Sequence, residues 1–158
     1  MTATGPAVTV VQRLTMDEHT VATAESLTGG LLCASLVTVP GASAVVRGGV
    51  VAYAADVKTG VLGVAADVVA GHGTVAPETA IAMAEAVRSL LAADWGVATT
   101  GVAGPGAVEG KPVGTVHVAV AGPEGTATVQ IRSSGDRQRV REDAVGAALR
   151  LLRDSLAG

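Results

Sequence analysis

The sequence predicts an α/β fold: a three-layer α/β/α sandwich around a mixed β-sheet, in a single domain over residues 1–158. Three observations predict it. Segments of β-prone residues alternate with segments of helical periodicity, the last two β-prone runs are joined by a short turn, and the length suits one domain. The alternation favours parallel strands between two helical layers, and the closing hairpin adds antiparallel strands.

The first half of the chain alternates helices and strands. The predicted elements are a helix over 8–19, a strand over 20–24, a helix over 31–37, a strand over 45–54 and a short helix over 56–62. A Gly29-Gly30 pair separates the first strand from the next helix, and Pro40-Gly41 ends that helical region. A turn-rich stretch then leads to Pro77.

The second half begins with a helix from Pro77, whose missing N–H would be unpaired at a helix start anyway. The predicted elements are this helix to residue 93, a strand over 95–100, a glycine-rich loop over 101–112, hairpin strands over 114–121 and 126–132, and a helix over 136–156. Ligands of such sheets bind beyond the carboxyl ends of strands. The turns after Ala24 and Thr100 are therefore the predicted places for a site.

Composition restricts the partners. A formal net charge of −3 and an aromatic content of 1% supply neither a basic field nor a stacking platform, so we expect no nucleic-acid partner. No apolar run approaches the roughly 20 residues that span a bilayer, and residues 1–6 lack the features of a secretory signal. We therefore expect a soluble, cytoplasmic protein with no membrane partner. One cysteine and three scattered histidines predict no disulfide and no metal site.

Ser26 lies on the predicted strand-to-helix turn, within AESLTGG at 24–30. Glycines allow a substrate to approach the backbone, and N–H groups at a helix start suit an anion or a developing oxyanion. The alternative is that Ser26 or Thr28 merely caps the helix. The motif alone leaves both interpretations open.

Lys58 is notable because lysine is scarce. Of the 11 basic side chains, only Lys58 and Lys111 are lysines. Lysine can lose its proton when it is desolvated, whereas arginine effectively cannot, and a base that activates serine must lose its proton. The alternative is an exposed lysine on a short helix.

Two arginines open the last predicted helix. Arg137 and Arg141 lie four residues apart on one face, and neither has an acidic residue three or four positions away, whereas Arg139 can pair with Glu142 and Asp143. A phosphate would neutralise both charges, and the helix N-terminus adds partial positive charge. The alternative is a solvated face whose acidic partners come from another element.

Three further candidates are Tyr53, Thr100 and Gly101. Tyr53 is the only tyrosine and precedes Lys58 by five residues, although it could be a half-buried strand residue with a hydrogen-bonded hydroxyl. Thr100, at the end of a strand, could position Lys58 or a substrate amide. Gly101 opens a loop that either cradles a ligand or is a surface loop.

An ordered set of motifs resembles the C-terminal domain family of the competence/damage-inducible protein CinA, whose stand-alone members include nicotinamide-nucleotide amidohydrolases. The resemblance covers about residues 20–156. The motifs are AESLTGG (24–30), PGAS (40–43), RGGVVAYAADVK (47–58), LGV (62–64), HGTV (72–75), TGVAGPG (100–106), KPVGTV (111–116) and GDRQRVR (135–141). Residues 54–56 are Ala-Ala-Asp, where family members often have Ser-Asn-Glu.

The resemblance implies a Ser/Lys hydrolase that converts nicotinamide mononucleotide to nicotinic acid mononucleotide and ammonia, with no metal or organic cofactor. Ser26 would be the nucleophile and Lys58 the base, with Tyr53 and Thr100 assisting.

The same resemblance places the 5′-phosphate of the nucleotide on Arg141 and Arg137. We expect Thr28 to bind substrate, and backbone N–H groups near Gly29-Gly30 or Gly101 to stabilise the oxyanion. An alternative function is a non-catalytic nucleotide-phosphate-binding or regulatory domain, and a third is hydrolysis of a different amide. A surface rich in Ala and Val favours a homo-oligomer.

Overall fold

The computed structural model describes residues 5–158. Its elements are α1 (Pro6–Asp17), β1 (Val21–Glu25), α2 (Leu31–Val37), a 3₁₀ helix (Ala42–Ala44), β2 (Val46–Val51), α3 (Ala55–Gly60), α4 (Ala66–His72), α5 (Pro77–Leu90), β3 (Trp95–Gly101), β4 (Thr115–Gly122), β5 (Gly125–Arg132) and α6 (Arg137–Ala157). No helix in this range is long and apolar enough to cross a membrane.

One five-stranded mixed sheet forms the middle layer, in the order β2-β1-β3-β4-β5. Strand β1 runs parallel to both of its neighbours, β2 and β3, whereas β3, β4 and β5 are successively antiparallel. Glu25 at the end of β1 lies beside Val51 of β2 and Thr99 of β3. The carboxyl ends of these three strands therefore meet at one edge of the sheet, as expected for a ligand site.

Helices cover both faces of the sheet, and the two faces differ in residue size. Val116, Val118 and Val120 of β4 belong to the core shared with α1, α2 and α6. Ala119 and Ala121 of the same strand face the opposite core, which contains α5. Alternation along a strand thus separates a valine face from an alanine face. The predicted three-layer α/β fold is confirmed.

Gly96 explains how closely α5 approaches the sheet. A Cβ at Gly96 would lie 2.1 Å from the Ala84 carbonyl oxygen of α5 and 2.9 Å from the Arg88 Cβ. We expect Gly96→Ala to lower the free energy of unfolding by about 2–3 kcal/mol, because one backbone would have to move away from the other. Urea unfolding measures this change.

Gly71 provides the control for that substitution. It lies in α4, and a Cβ there would have no neighbour within 4 Å. Gly71→Ala is expected to leave stability unchanged or to raise it by about 0.5–1 kcal/mol, because alanine favours a helix. If Gly96→Ala were as well tolerated as Gly71→Ala, the close approach of α5 would be wrong.

The elements depart from the sequence prediction at two places near the site. The turn-rich stretch before Pro77 contains α4, a seven-residue helix too short to show clear helical periodicity. The strand predicted over 45–54 ends at Val51. It ends early because the carbonyls of Ala52 and Tyr53 turn toward the Lys58 ammonium instead of continuing in the sheet.

Candidate active site

Ser26 is the first residue after β1 and begins a tight turn. Its N–H donates to the Thr99 carbonyl at 3.0 Å, and its carbonyl accepts the Gly29 N–H at 3.1 Å. The residue is buried, with 8% of its surface exposed. The turn thus fixes the serine backbone and leaves its hydroxyl at the wall of a cavity.

Glu25, directly before the serine, caps helix α2. Its buried carboxylate accepts the N–H groups of Gly30 at 3.2 Å, Leu32 at 2.8 Å and Cys33 at 3.0 Å. These N–H groups have no partner within the helix, so the carboxylate satisfies the start of α2. Sequence reasoning missed this role, because a glutamate several residues before a helix does not match the usual N-cap pattern.

Lys58 lies on α3 with its side chain buried at 1% exposure. Its Nζ donates to the Ala52 carbonyl at 2.7 Å, the Tyr53 carbonyl at 3.1 Å and the Ser26 Oγ at 2.9 Å. The three protons of the ammonium are therefore matched by three acceptors. The structure brings together Ser26 and Lys58, which are 32 residues apart in sequence.

The burial of Lys58 makes its neutral form more accessible than that of an exposed lysine. Burial lowers the pKa of Lys58 to about 8, and the nearby Glu109 carboxylate raises it in part. The two backbone carbonyls can only accept, so they retain the two N–H bonds of the neutral amine. The lone pair of the amine then points at Ser26 Oγ, which is the geometry required of a base.

A cavity of about 290 Å³ opens beside the Ser–Lys pair. It is lined by residues from the turn after β1, the segment after β2, α3, the segment before α5, the end of β3, the glycine-rich loop and α6. These are Ser26, Leu27, Tyr53, Lys58, Thr74, Val75, Thr100, Gly101, Val102, Ala103, Gly104, Gly106, Val108 and Arg137. Apolar side chains and a few polar groups together suit a small amphipathic ligand.

Arg137 spans the mouth of this cavity. Its guanidinium donates to the Gly104 carbonyl on one side and to the Tyr53 hydroxyl, at 3.0 Å, on the other. Tyr53 is 60% exposed and lies beyond the end of β2, so the half-buried strand position considered from sequence is wrong. Arg137 and Tyr53 together form a polar rim at the cavity mouth, and the guanidinium gives this rim a fixed positive charge.

Arg141 occupies a different place from Arg137. Its side chain donates to the carbonyls of Leu27 at 2.9 Å and Thr28 at 3.1 Å and to Gln138, and it does not line the cavity. Arg141 therefore stabilises the backbone of the serine turn through the turn's carbonyl groups. The phosphate contact expected of Arg141 stays a prediction, since in this arrangement its guanidinium is engaged by the serine turn.

Three predicted ligand-binding positions have other partners. Thr28 is fully buried, and its hydroxyl is 2.7 Å from that of Thr99. The Gly29 N–H donates to Ser26, and the Gly30 N–H to Glu25. These groups already serve the turn, so the predicted substrate contact at Thr28 and oxyanion site at Gly29-Gly30 would require a different arrangement of these hydrogen bonds.

Thr100 lines the cavity but does not contact Lys58. Its hydroxyl donates to the Thr74 carbonyl, in the segment before α5. This segment is also held by Glu109, whose carboxylate accepts the N–H and hydroxyl of Thr74 and the N–H of Val75. Sequence reasoning missed this contact, since it joins two loops 34 residues apart.

Comparisons with known proteins identify the family. The sequence profile of the CinA C-terminal domain matches residues 4–156. This chain belongs to the CinA C-terminal domain family. It is 54% identical, over 94% of its length, to a CinA-like protein of Frankia casuarinae, and 53% identical, over 93%, to one of Anaeromyxobacter sp.. It spans about a third of the length of these curated relatives, 34% and 36% respectively.

Solved structures of CinA-superfamily proteins share the whole fold. The competence damage-inducible protein A of Klebsiella pneumoniae superposes with a TM-score of 0.93 at 34% identity, covering 96% of this chain and 95% of that one. The competence/damage-inducible protein CihA of Agrobacterium tumefaciens gives a TM-score of 0.88 at 34% identity, covering 100% and 99%. The family resemblance drawn from the ordered motifs is confirmed.

Proposed function

We propose that this CinA-family domain is an amidohydrolase that deamidates nicotinamide mononucleotide to nicotinic acid mononucleotide and ammonia. The observation that carries the proposal is the buried Lys58, whose Nζ lies 2.9 Å from Ser26 Oγ at the wall of the cavity. A buried lysine with a lowered pKa beside a serine is an activated-nucleophile arrangement. The family resemblance supplies the substrate.

Acylation follows from this geometry. Neutral Lys58 takes the Ser26 proton as Oγ bonds to the carboxamide carbon, which gives a tetrahedral oxyanion. The ammonium of Lys58 then returns the proton to the leaving nitrogen, the C–N bond breaks, and ammonia departs. The nicotinoyl group of the nucleotide remains as an ester on Ser26.

Deacylation repeats the same proton transfers with water. Lys58 accepts a proton from water as the water oxygen attacks the ester carbon. The collapse of the second tetrahedral intermediate breaks the bond to Ser26 Oγ, which regains its proton from Lys58. The carboxylate product leaves and the pair is restored.

The oxyanion requires backbone donors other than Gly29 and Gly30. The N–H of Leu27, the residue after the nucleophile, donates no hydrogen bond within residues 5–158, and Gly101 lines the cavity near Ser26. We assign the oxyanion contact to these two positions. Both belong to segments that are fixed by the sheet.

Arg137 is the group that we assign to the phosphate. A guanidinium carries five N–H donors, and the bonds to Gly104 and Tyr53 leave others free to face an anion at the cavity mouth. The apolar wall formed by Leu27, Val75 and Val102 then suits the pyridine ring.

Activity should rise with pH as Lys58 loses its proton. The pKa of Lys58 is lowered to about 8, so kcat/KM is expected to increase tenfold per pH unit below that value and to level off above it. At pH 7 about a tenth of the protein would hold the neutral amine. A pH–rate profile with no rise between pH 6 and 8 would contradict a Lys58 base.

Product analysis tests the function itself. The protein is incubated with nicotinamide mononucleotide, and ammonia and nicotinic acid mononucleotide are measured in parallel, with equal amounts expected. Nicotinamide riboside, which lacks the phosphate, should react more slowly because it does not engage Arg137. Binding of the nucleotide by calorimetry without ammonia release would instead select the non-catalytic binding domain, and a panel of other amides would reveal a different substrate.

Residues 54–56 do not disturb the pair. Ala54 is the residue before the first turn of α3, and Ala55 is exposed and outside the cavity wall. Lys58 keeps three acceptors without any side chain from this segment. The departure from the common family sequence is therefore compatible with the proposed activity.

A further inference from the structure

We propose that Glu109 is a positioning residue for the Ser26–Lys58 pair: its carboxylate fastens two loops of the cavity wall together and supplies negative charge to the lysine. Nothing in the sequence motifs pointed to it. The proposal deepens the proposed amidohydrolase function and rests on it for the catalytic role, but the charge effect on Lys58 can be measured without any substrate.

The hydrogen bonds of Glu109 are concentrated on one short segment. The carboxylate accepts the Thr74 N–H at 3.0 Å from each oxygen, the Thr74 hydroxyl at 2.9 Å and the Val75 N–H at 3.1 Å. Gly73 makes room for it, because a Cβ at Gly73 would lie 2.7 Å from Glu109 Oε1. The Glu109 carboxylate can therefore reach the Thr74 and Val75 N–H groups because residue 73 has no side chain.

The backbone at Glu109 is held in an uncommon conformation. Val108 and Lys111 exchange backbone hydrogen bonds of 3.1 and 2.9 Å, which close a two-residue turn at Glu109 and Gly110. Glu109 has a φ of 53°, in the left-handed region that side chains other than glycine rarely adopt. A glutamate kept in this conformation, with its side chain fully engaged, suggests a role that offsets the strain.

The fastened segment forms part of the cavity. Thr74, Val75 and Val108 all line it. The Thr74 carbonyl also accepts the Thr100 hydroxyl, and the Val75 carbonyl accepts Lys111 Nζ. Glu109 thus joins the segment before α5 to the loop after β3, and both segments line the same cavity as Lys58.

Glu109 also sets the charge around Lys58. Burial lowers the pKa of Lys58, and Glu109 is the charged group that raises it. The other charged groups of the adjoining segments have separate engagements: the Glu25 carboxylate caps α2, Arg137 bonds to Gly104 and Tyr53, and Asp56 of α3 is exposed. Burial raises the pKa of Glu109, but the N–H groups of Thr74 and Val75, the Thr74 hydroxyl and, to a smaller extent, Lys111 Nζ at 4.0 Å from Oε1 together lower it by more, so the carboxylate stays ionised.

The scarcity of lysine makes a direct test simple. With only Lys58 and Lys111 in the chain, protein labelled with ¹³Cε-lysine shows two side-chain signals, which Lys111→Arg assigns. We expect the Lys58 signal to titrate near pH 8 in the wild type and at lower pH in Glu109→Gln. Glu124→Gln, the same charge change at the exposed β4–β5 turn, is expected to leave the midpoint in place.

A second variant separates the charge effect of Glu109 on Lys58 from its hydrogen bonds to Thr74 and Val75. Glu109→Asp keeps the charge but shortens the side chain, so the Lys58 midpoint should stay close to the wild type while KM for nicotinamide mononucleotide rises about tenfold from the loosened wall. Glu109→Gln should raise KM similarly and also shift the acid limb of the pH–rate profile to lower pH.

Each outcome decides the proposal. An unchanged Lys58 midpoint in Glu109→Gln would overturn it, and so would unfolding of Glu109→Gln while Glu124→Gln stays folded, because the carboxylate would then be merely structural. If the wild type released no ammonia but the Lys58 midpoint still moved in Glu109→Gln, the proposed substrate would fail and the role of Glu109 would stand.

Discussion

Lys58→Arg is expected to reduce ammonia release from nicotinamide mononucleotide by about 1,000-fold or more. Arginine keeps the positive charge, but its guanidinium cannot give up a proton at any pH that the fold tolerates, so Ser26 loses its base. The larger planar group also cannot match the three acceptors that surround Nζ. Steady-state kinetics at pH 8, with stability checked by urea unfolding, measure the loss.

Lys111 supplies the matched control for this substitution. It is the other lysine of the chain, and it also donates to a backbone carbonyl, that of Val75. An arginine can make the same contact, so Lys111→Arg should lose less than about tenfold in activity. If the two variants were equally active, Lys58 could not be the base.

Glu25→Ala is expected to lower the free energy of unfolding by about 3 kcal/mol. The change leaves the N–H groups of Gly30, Leu32 and Cys33 without their acceptor at the start of α2. For a domain of this size the loss corresponds to a decrease in Tm of roughly 6–12 °C. Urea and thermal unfolding both report it.

Glu142 is a suitable control for Glu25. It is an exposed glutamate on α6 whose side chain accepts one long contact from Gln138 at 3.3 Å. Glu142→Ala should change stability by less than about 0.5 kcal/mol. Equal stability of Glu25→Ala and wild type would show that water replaces the carboxylate, and the capping role would have to be withdrawn.

The architecture could be predicted because two periodicities were visible in the sequence. The α5 and α6 segments repeat apolar residues at helical spacing, whereas the β-prone runs are short and bounded by glycine or proline. Helix α4 was missed because its seven residues cover less than two turns of clear periodicity. The early end of β2 depends on the Lys58 ammonium, a tertiary contact with no local signal.

The site could be predicted residue by residue but not in its geometry. Ser26 and Lys58 stood out through the turn motif and the scarcity of lysine, yet only the fold brings them within 2.9 Å. Arg137 and Arg141 share one helix face, but one turn of helix separates them, so the first reaches the cavity mouth and the second reaches the back of the serine turn.

Donors already in use cannot be recognised from the sequence. The Gly29-Gly30 pair looked suited to an oxyanion, because N–H groups at a helix start are usually free. The Glu25 carboxylate folds back over the helix start and accepts the Gly30 N–H. The role of Glu109 could not be recognised from the sequence for a similar reason, since its hydrogen-bond partners lie in another loop.

The central claim is that Ser26, deprotonated by Lys58, attacks the carboxamide. Rapid acid quenching of the protein with nicotinamide mononucleotide, followed by peptide mass spectrometry, tests it most directly. The account predicts a nicotinoyl-nucleotide ester on the peptide that contains Ser26, formed faster at pH 8 than at pH 6, and absent from Ser26→Ala. Undiminished ammonia release by Ser26→Ala, with no adduct in the wild type, would contradict it.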